Sequence, residues 1–192
     1  MSSPQFMDSF VSFKPEAELI GRIVVGYTQI EITMMNCALL PNNDNFDHVF
    51  KSVYGERFSK NRINTVSNMA KDTYDKFGIL DVFLEALSRV DECREIRNSY
   101  AHANWWNDGS GRLAFLSLDP LAKRKDHLPG LGSEERRYVD LDLLTRQMEF
   151  FQDTESLLNW LNVEARHQSN LHKENGPKPA MRLTTTELRA LR

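Results

Sequence analysis

Apolar residues recur at three- and four-residue steps along most of the chain, a pattern typical of amphipathic helices. The first such pattern covers residues 15–41, with Pro15 in its first turn and Pro41 at its end. Glu31 lies beside the apolar surface of this segment. The positions predicted to face the core are Ile20, Ile23, Val24, Tyr27, Ile30, Met34 and Ala38.

The same periodicity predicts four more helices. A short helix is predicted over residues 46–53 and ends at Gly55, and a second begins with Ser59 as its cap and ends at Gly78. A third runs from about Ile79 into residues 97–102, and a final long helix begins near Leu141. The predicted core positions are Ile63, Val66, Met69 and Ala70 in the second, Phe83, Leu84, Leu87, Val90, Cys93 and Ile96 in the third, and Leu144, Met148, Phe151, Leu157 or Leu158, and Leu161 in the last.

A different pattern separates the last two helices. The turn-forming residues 107–111 precede the β-like run 113–118, for which residues 137–139 offer an antiparallel partner. The long connection over residues 119–135 contains the basic run 123–125, which either contacts phosphate or is simply solvated. We therefore predict an all-α helical bundle with a small β-hairpin insertion at about residues 112–140. One domain covers residues 1–171, and residues 172–192 form a basic flexible tail.

Charge and cysteine usage narrow the function classes. The net charge of −3 argues against a protein that binds nucleic acid through a large positive field, so any RNA contact must be local. Cys37 and Cys93 fall inside apolar helical patterns, which suits buried thiols in a reducing, cytoplasmic location. No leader segment is apparent, and Arg22 and Glu31 interrupt the apolar span 19–40, so we expect no membrane segment.

One helical run concentrates polar chemistry. Arg94, Asn98 and His102 are spaced four residues apart and form one stripe on a helix, with Arg97 as a neighbouring long donor. Imidazole moves protons near neutral pH and guanidinium matches phosphate oxygens, so the set suits a phosphodiester without a metal. Alternatively, Arg and His near a helix C-terminus satisfy its free carbonyls.

The string Arg97-Asn98 followed by His102 resembles the R-N-x-x-x-H motif of HEPN-domain proteins, where it lies near the end of a helix in a helical bundle. The resemblance implies metal-independent RNA cleavage at a composite site in a homodimer, as in toxin–antitoxin, phage-defence or RNA-processing systems. Arg97 and His102 would then be the catalytic pair. Asn98 and Arg94 would support them, and Glu31 would either orient Arg97 or be a glutamate at the surface or at a capped helix edge. An antitoxin protein is a further expected partner.

Other functions stay open at this stage. The chain can instead be a non-catalytic HEPN-like dimerisation or nucleotide-binding module, or a helical adaptor with an accidental motif. Asn104 stands where a second form of the motif has a modified tyrosine, which puts such modification in doubt. Trp105 and Trp106 either stack on bases or anchor the motif helix, and Tyr100 is expected to pack. We expect neither a cofactor nor a metal, because His48, His127, His167 and His172 lack metal-ligand spacing.

Overall fold

Helices dominate the computed structural model, which describes residues 8–123 and 136–191 and contains a small three-stranded antiparallel sheet. The predicted fold class, a helical bundle with a small β insertion, is confirmed. Residues 124–135, which include His127 and most of the predicted long loop, lie outside the described residues. The helices are α1 (Asp8–Ser12), α2 (Lys14–Asn36), α3 (Phe46–Tyr54), α4 (Ser59–Lys76), α5 (Leu80–Ala101), α6 (Leu118–Ala122), α7 (Leu141–Gln168) and α8 (Thr185–Ala190), and the strands are β1 (Ala103–Asn107), β2 (Leu113–Ser117) and β3 (Arg137–Val139).

Helix boundaries follow the turn chemistry of the sequence. α2 ends at Asn36, earlier than predicted, and a 3-10 turn over Leu40–Asn42 follows it, since Pro41 has no N–H with which to continue the α-helical hydrogen bonds. Gly78 stops α4 with a φ of 69°, a left-handed conformation that glycine adopts without strain. Among the described residues, no helix is long and apolar enough to cross a membrane.

The described chain forms two compact units. The first contains the residues up to Val25 and those between Glu95 and Met148, and the second contains Gly26–Arg94 and the residues from Glu149 onwards.

An aromatic cluster forms the core of the first unit. The rings of Trp105 and Phe115 stack with centroids 5.0 Å apart, and Tyr100 lies 5.5 Å from each of them. Phe10 of α1 contacts Trp105 from 5.7 Å, so α1 covers this face of the sheet. Tyr100 and Trp105 are both buried packing residues. This was the prediction for Tyr100, and for Trp105 it agrees with the alternative that it anchors the motif helix.

The sheet begins earlier in the chain than predicted. β1 follows the motif directly and pairs antiparallel with β2, and β3 adds to the other side of β2 as expected. The insertion boundary of 112 is therefore wrong, because the strand starts at Ala103. Two adjacent tryptophans favour an extended conformation that sends one ring to each face, and Gly109 and Gly111 provide the positive φ angles of the turn.

Regular helix packing builds the core of the second unit. The predicted inward positions of α4 and α5 are buried at Ile63, Val66, Ala70, Phe83 and Val90, among others. Both cysteines are free and buried. Leu84 departs from the prediction because 46% of it is exposed.

The C-terminal segment of this unit differs from the flexible tail predicted for residues 172–192. Arg182 forms hydrogen bonds with the carboxylate of Asp153, and Arg189 binds Glu92. Both carboxylates are almost fully buried, so they need such partners. The segment therefore packs through arginine pairing and one apolar anchor, Leu188, which composition alone does not reveal.

Truncating this anchor tests the packed segment. Leu188 is fully buried in α8, whose first turn has a complete capping box of Thr184 and Glu187. We expect Leu188→Ala to weaken docking of residues 176–191 by about 2–5 kcal/mol, up to the full docking free energy of the segment. Hydrogen exchange should then show faster exchange in α8. Leu191→Ala, at a residue that is 39% exposed, is the matched control, and equal exchange in both variants would contradict the packing.

Candidate functional site

The motif histidine lies at the junction between α5 and β1. Its backbone N–H donates to the carbonyl of Asn98 at 3.3 Å, which continues the hydrogen-bond pattern of the helix. Its carbonyl accepts from the N–H of Leu118 at 3.2 Å, which continues the ladder between β1 and β2. The backbone of His102 is thus held from both sides while the residue itself is exposed, so its imidazole can meet a ligand.

Arg97 and Asn98 are half-buried on the last turns of the same helix. The Nη1 group of Arg97 donates to Oδ1 of Asn98 at 3.0 Å, so the amide fixes one end of the guanidinium. The Nε group of Arg97 is buried and has no hydrogen-bond partner within the described part of the chain. The guanidinium therefore retains an unused donor.

The other side of this turn anchors the motif to the core. Ile96 is 1% exposed, and the hydroxyl of buried Tyr100 donates to Oε1 of Gln147 on α7 at 2.6 Å. Because these two residues hold the helix end in place, Arg97 and His102 project from a rigid element.

Arg94 belongs to the second unit, where its Nε donates to Oδ1 of Asp91 at 2.9 Å. Asp91 also accepts from Nζ of Lys60 at 2.6 Å. Although burial acts to raise the pKa of Asp91, the hydrogen bonds from Lys60 and Arg94 hold it below its ordinary value. A supporting role for Arg94 stays a prediction, since its described pairing is with Asp91.

Glu31 is buried in the second unit and pairs with Arg62, a partner that the sequence analysis did not propose. The two side chains meet at 3.0 Å, and Arg62 also donates to the carbonyl of Glu56 and lies over the ring of Tyr54. The carboxylate thus has a cationic partner, as its 6% exposure demands. The contact of Glu31 with Arg97 stays a prediction.

Two tyrosines accompany this ion pair: Tyr27, which the sequence analysis predicted only as a core residue, and Tyr54, which it did not single out. Burial first, and then the charge of Glu31, raise the pKa values of Tyr27 and Tyr54 above the ordinary value. The hydroxyl of Tyr54 and Oε1 of Glu31 are buried without a hydrogen-bond partner among the described residues. The four-residue spacing of Tyr27 and Glu31 was the available signal, since it places them on one helix face.

Removing the cation tests how far Glu31 depends on Arg62. We expect Arg62→Met to destabilise the protein by about 2 kcal/mol, less than the 3–5 kcal/mol typical of wholly buried pairs because 20% of the Arg62 side chain is exposed. Glu31→Gln combined with Arg62→Met should recover part of this loss, because no charge is then stranded. Urea unfolding of the wild type, the two single variants and the double variant gives the coupling free energy between Glu31 and Arg62. Strictly additive effects would argue against the pair.

His167 and His172 make local contacts. Nδ1 of His167 lies 3.1 Å from the carbonyl of His172, whose own Nδ1 lies 2.8 Å from the carbonyl of Glu174. Among residues 8–123 and 136–191, no group of three or more His, Cys, Asp or Glu side chains is placed to hold a metal ion.

The candidate site is described from the residues of this chain alone, and its resemblance to the HEPN motif extends from Arg97 to His102. A scan against protein-family models, a search of curated proteins and a search of solved structures each find no match to the chain.

Proposed function

We propose that the chain is a metal-independent endoribonuclease of the HEPN type, acting in a toxin–antitoxin or phage-defence system. Arg97 and His102 are its catalytic pair and Asn98 supports Arg97. The observation that carries the proposal is the junction itself, where a fixed, exposed His102 follows an arginine held by an amide. This combination supplies a proton carrier and a phosphate ligand on one helix end.

The chemistry follows from these two groups. The neutral imidazole of His102 takes the proton from a ribose 2′-hydroxyl, whose oxygen attacks the adjacent phosphorus. The guanidinium of Arg97 stabilises the negative charge on the pentacoordinate phosphate. The bond to the 5′-oxygen then breaks, and this oxygen takes up a proton. The products are a 2′,3′-cyclic phosphate and a 5′-hydroxyl.

The unused donor on Arg97 supports this role. Asn98 occupies Nη1, and Nε, although buried, has no hydrogen-bond partner among the described residues, so the guanidinium keeps a donor for an acceptor that reaches it. A buried donor without a partner is uncommon in a folded protein and is often explained by a missing ligand. A phosphate oxygen is a suitable acceptor for it.

A homodimer is part of the proposal, with the end of α5 from each chain lining the interface. One motif supplies one arginine and one imidazole, and a second copy would complete the acid and base functions. An antitoxin protein that covers this site, and a cytoplasmic location, belong to the same proposal.

Cleavage in the presence of a chelator is the direct test. Purified protein is incubated with end-labelled single-stranded RNA in excess EDTA, and the product ends are analysed for a cyclic phosphate. We expect cleavage by the wild-type protein and none by His102→Ala. A wild-type protein that dimerises but cleaves none of several unrelated RNAs would favour the non-catalytic module instead.

A further inference from the structure

One face of the sheet carries aromatic and cationic side chains beside the motif. Trp106, Ala114 and Tyr138 occupy one row across β1, β2 and β3, so their side chains share a face. Arg112 directly precedes β2 and Arg136 directly precedes β3, and the guanidinium group of each lies over a ring of this row. The opposite face carries Trp105 and Phe115 and packs into the core of the first unit.

Each arginine lies against one of the rings. The guanidinium carbon of Arg136 is 5.2 Å from the ring centre of Trp106, and that of Arg112 is 5.2 Å from the ring centre of Tyr138. Each arginine lies near a carboxylate, Arg112 at 3.7 Å from Asp140 and Arg136 at 3.6 Å from Asp108, but their side chains are 53% and 37% exposed, so both cations remain accessible to a ligand. The result is an arginine–aromatic platform made of Trp106, Tyr138, Arg112 and Arg136.

Asp108 holds part of this platform in position. Its carboxylate accepts from the hydroxyl of Tyr138 at 2.8 Å and lies 3.6 Å from Arg136. Hydrogen bonds from Ser110 and then Tyr138 lower the pKa of Asp108 to about 2, so the anchor stays charged at neutral pH. Tyr138 and Arg136 are thereby preorganised.

The platform continues directly to the motif. The hydrogen bond from Leu118 to His102 extends the β1–β2 register by one pair, and alternation places His102 on the face of Trp106. Four residues of strand separate them, which corresponds to about 13 Å. A single nucleic-acid strand can span this distance with one or two nucleotides.

We propose that this platform binds single-stranded RNA next to the phosphodiester cleaved at His102. Trp106 and Tyr138 stack on bases, and Arg112 and Arg136 contact phosphates. This proposal rests on the proposed ribonuclease function and specifies its substrate as unpaired RNA. Exposed guanidinium groups beside aromatic rings match a ligand that is both anionic and planar. Duplex RNA fits poorly because its base faces are already stacked.

Binding is measured by fluorescence anisotropy with a labelled eight-nucleotide single-stranded RNA in EDTA. The full chain carries His102→Ala throughout, so that no cleavage occurs. We expect the pair Arg112→Gln and Arg136→Gln to weaken binding at least about tenfold. We also expect the slope of log affinity against log salt to become shallower by about 1.4, or 0.7 for each lost phosphate contact. Arg146→Gln, a half-exposed arginine on α7, is the matched control and should leave both quantities unchanged.

A second readout does not depend on affinity. Stacking of a base on Trp106 should quench tryptophan fluorescence, and Trp106→Phe should remove most of the quenching while preserving an aromatic ring and the fold. Two results would each overturn the proposal: binding by the double-arginine variant within about twofold of its parent, or unchanged quenching in Trp106→Phe. A parent that binds no RNA would overturn it as well.

The cleavage assay separates this proposal from the function on which it rests. Wild-type cleavage that is insensitive to the double-arginine substitution would remove the platform and keep the ribonuclease. RNA binding through the platform without wild-type cleavage would remove the ribonuclease and keep the binding surface.

Discussion

Replacing His102 by alanine is expected to lower RNA cleavage by about 100- to 10,000-fold, the contribution typical of a positioned general acid or base. The fold should be unaffected, because the imidazole is exposed and the backbone hydrogen bonds of this residue do not involve the side chain. Initial rates on labelled RNA in EDTA, with circular dichroism as a check on helicity, provide the measurement. His172→Ala, at another exposed histidine, is the matched control.

Arg97→Ala should cause a comparable loss, since it removes the cation proposed to stabilise the pentacoordinate phosphate. Arg97→Lys should recover part of the rate, because it restores the charge without the planar pair of donors. Activity that survives both Arg97→Ala and His102→Ala would belong to a contaminant or to another site, and would end the present assignment.

Periodicity was sufficient to predict the five longer helices because each buries one stripe of apolar residues, whereas the short helices α1, α6 and α8 were not predicted. Ile63, Val66 and Ala70 are three- and four-residue neighbours and are all buried, as expected. β1 was missed because the motif and the two tryptophans form a short polar and aromatic run without a helical or an alternating apolar pattern. Its conformation depends on pairing with β2, which is a tertiary contact.

Pairing of buried charges was the second part that could not be predicted. Glu31 needs a cation because it is buried, and that much follows from its position in an apolar helix. The choice of Arg62 depends on how α2 and α4 pack, which no spacing within one helix reveals. The same holds for the C-terminal segment, where Arg182 and Arg189 pair with acids on distant helices.

The motif could be predicted only in part. Its location near a helix end was predicted from sequence, and α5 does end at Ala101. The two backbone hydrogen bonds of His102 could not be predicted, because one partner, Leu118, directly follows β2 and reaches His102 only through the pairing of β1 with β2. Whether two motifs form one composite site has to be tested by an activity measurement.

Mixing two inactive variants should restore activity if the site is composite. In a two-fold dimer whose sites each combine Arg97 of one chain with His102 of the other, a mixed dimer of Arg97→Ala and His102→Ala contains one intact site and one doubly damaged site. Random exchange at equal concentrations makes half of the dimers mixed, so about a quarter of the wild-type rate should return. Each variant alone should stay at least about 100-fold below wild type.

The mixing experiment is decisive only if chains are shown to exchange between dimers. Sedimentation velocity establishes that each variant is a dimer, and energy transfer between differently labelled chains shows that mixed dimers form. If the dimers exchange but activity stays at the level of the single variants, Arg97 of one chain and His102 of the other do not form an independent site, and that version of the composite arrangement is wrong. If the chain sediments as a monomer at micromolar concentration, the proposed dimer itself is excluded under those conditions. Recovery near a quarter would place Arg97 and His102 from different chains around one phosphodiester, which is one form of the composite dimer site that the HEPN resemblance implies.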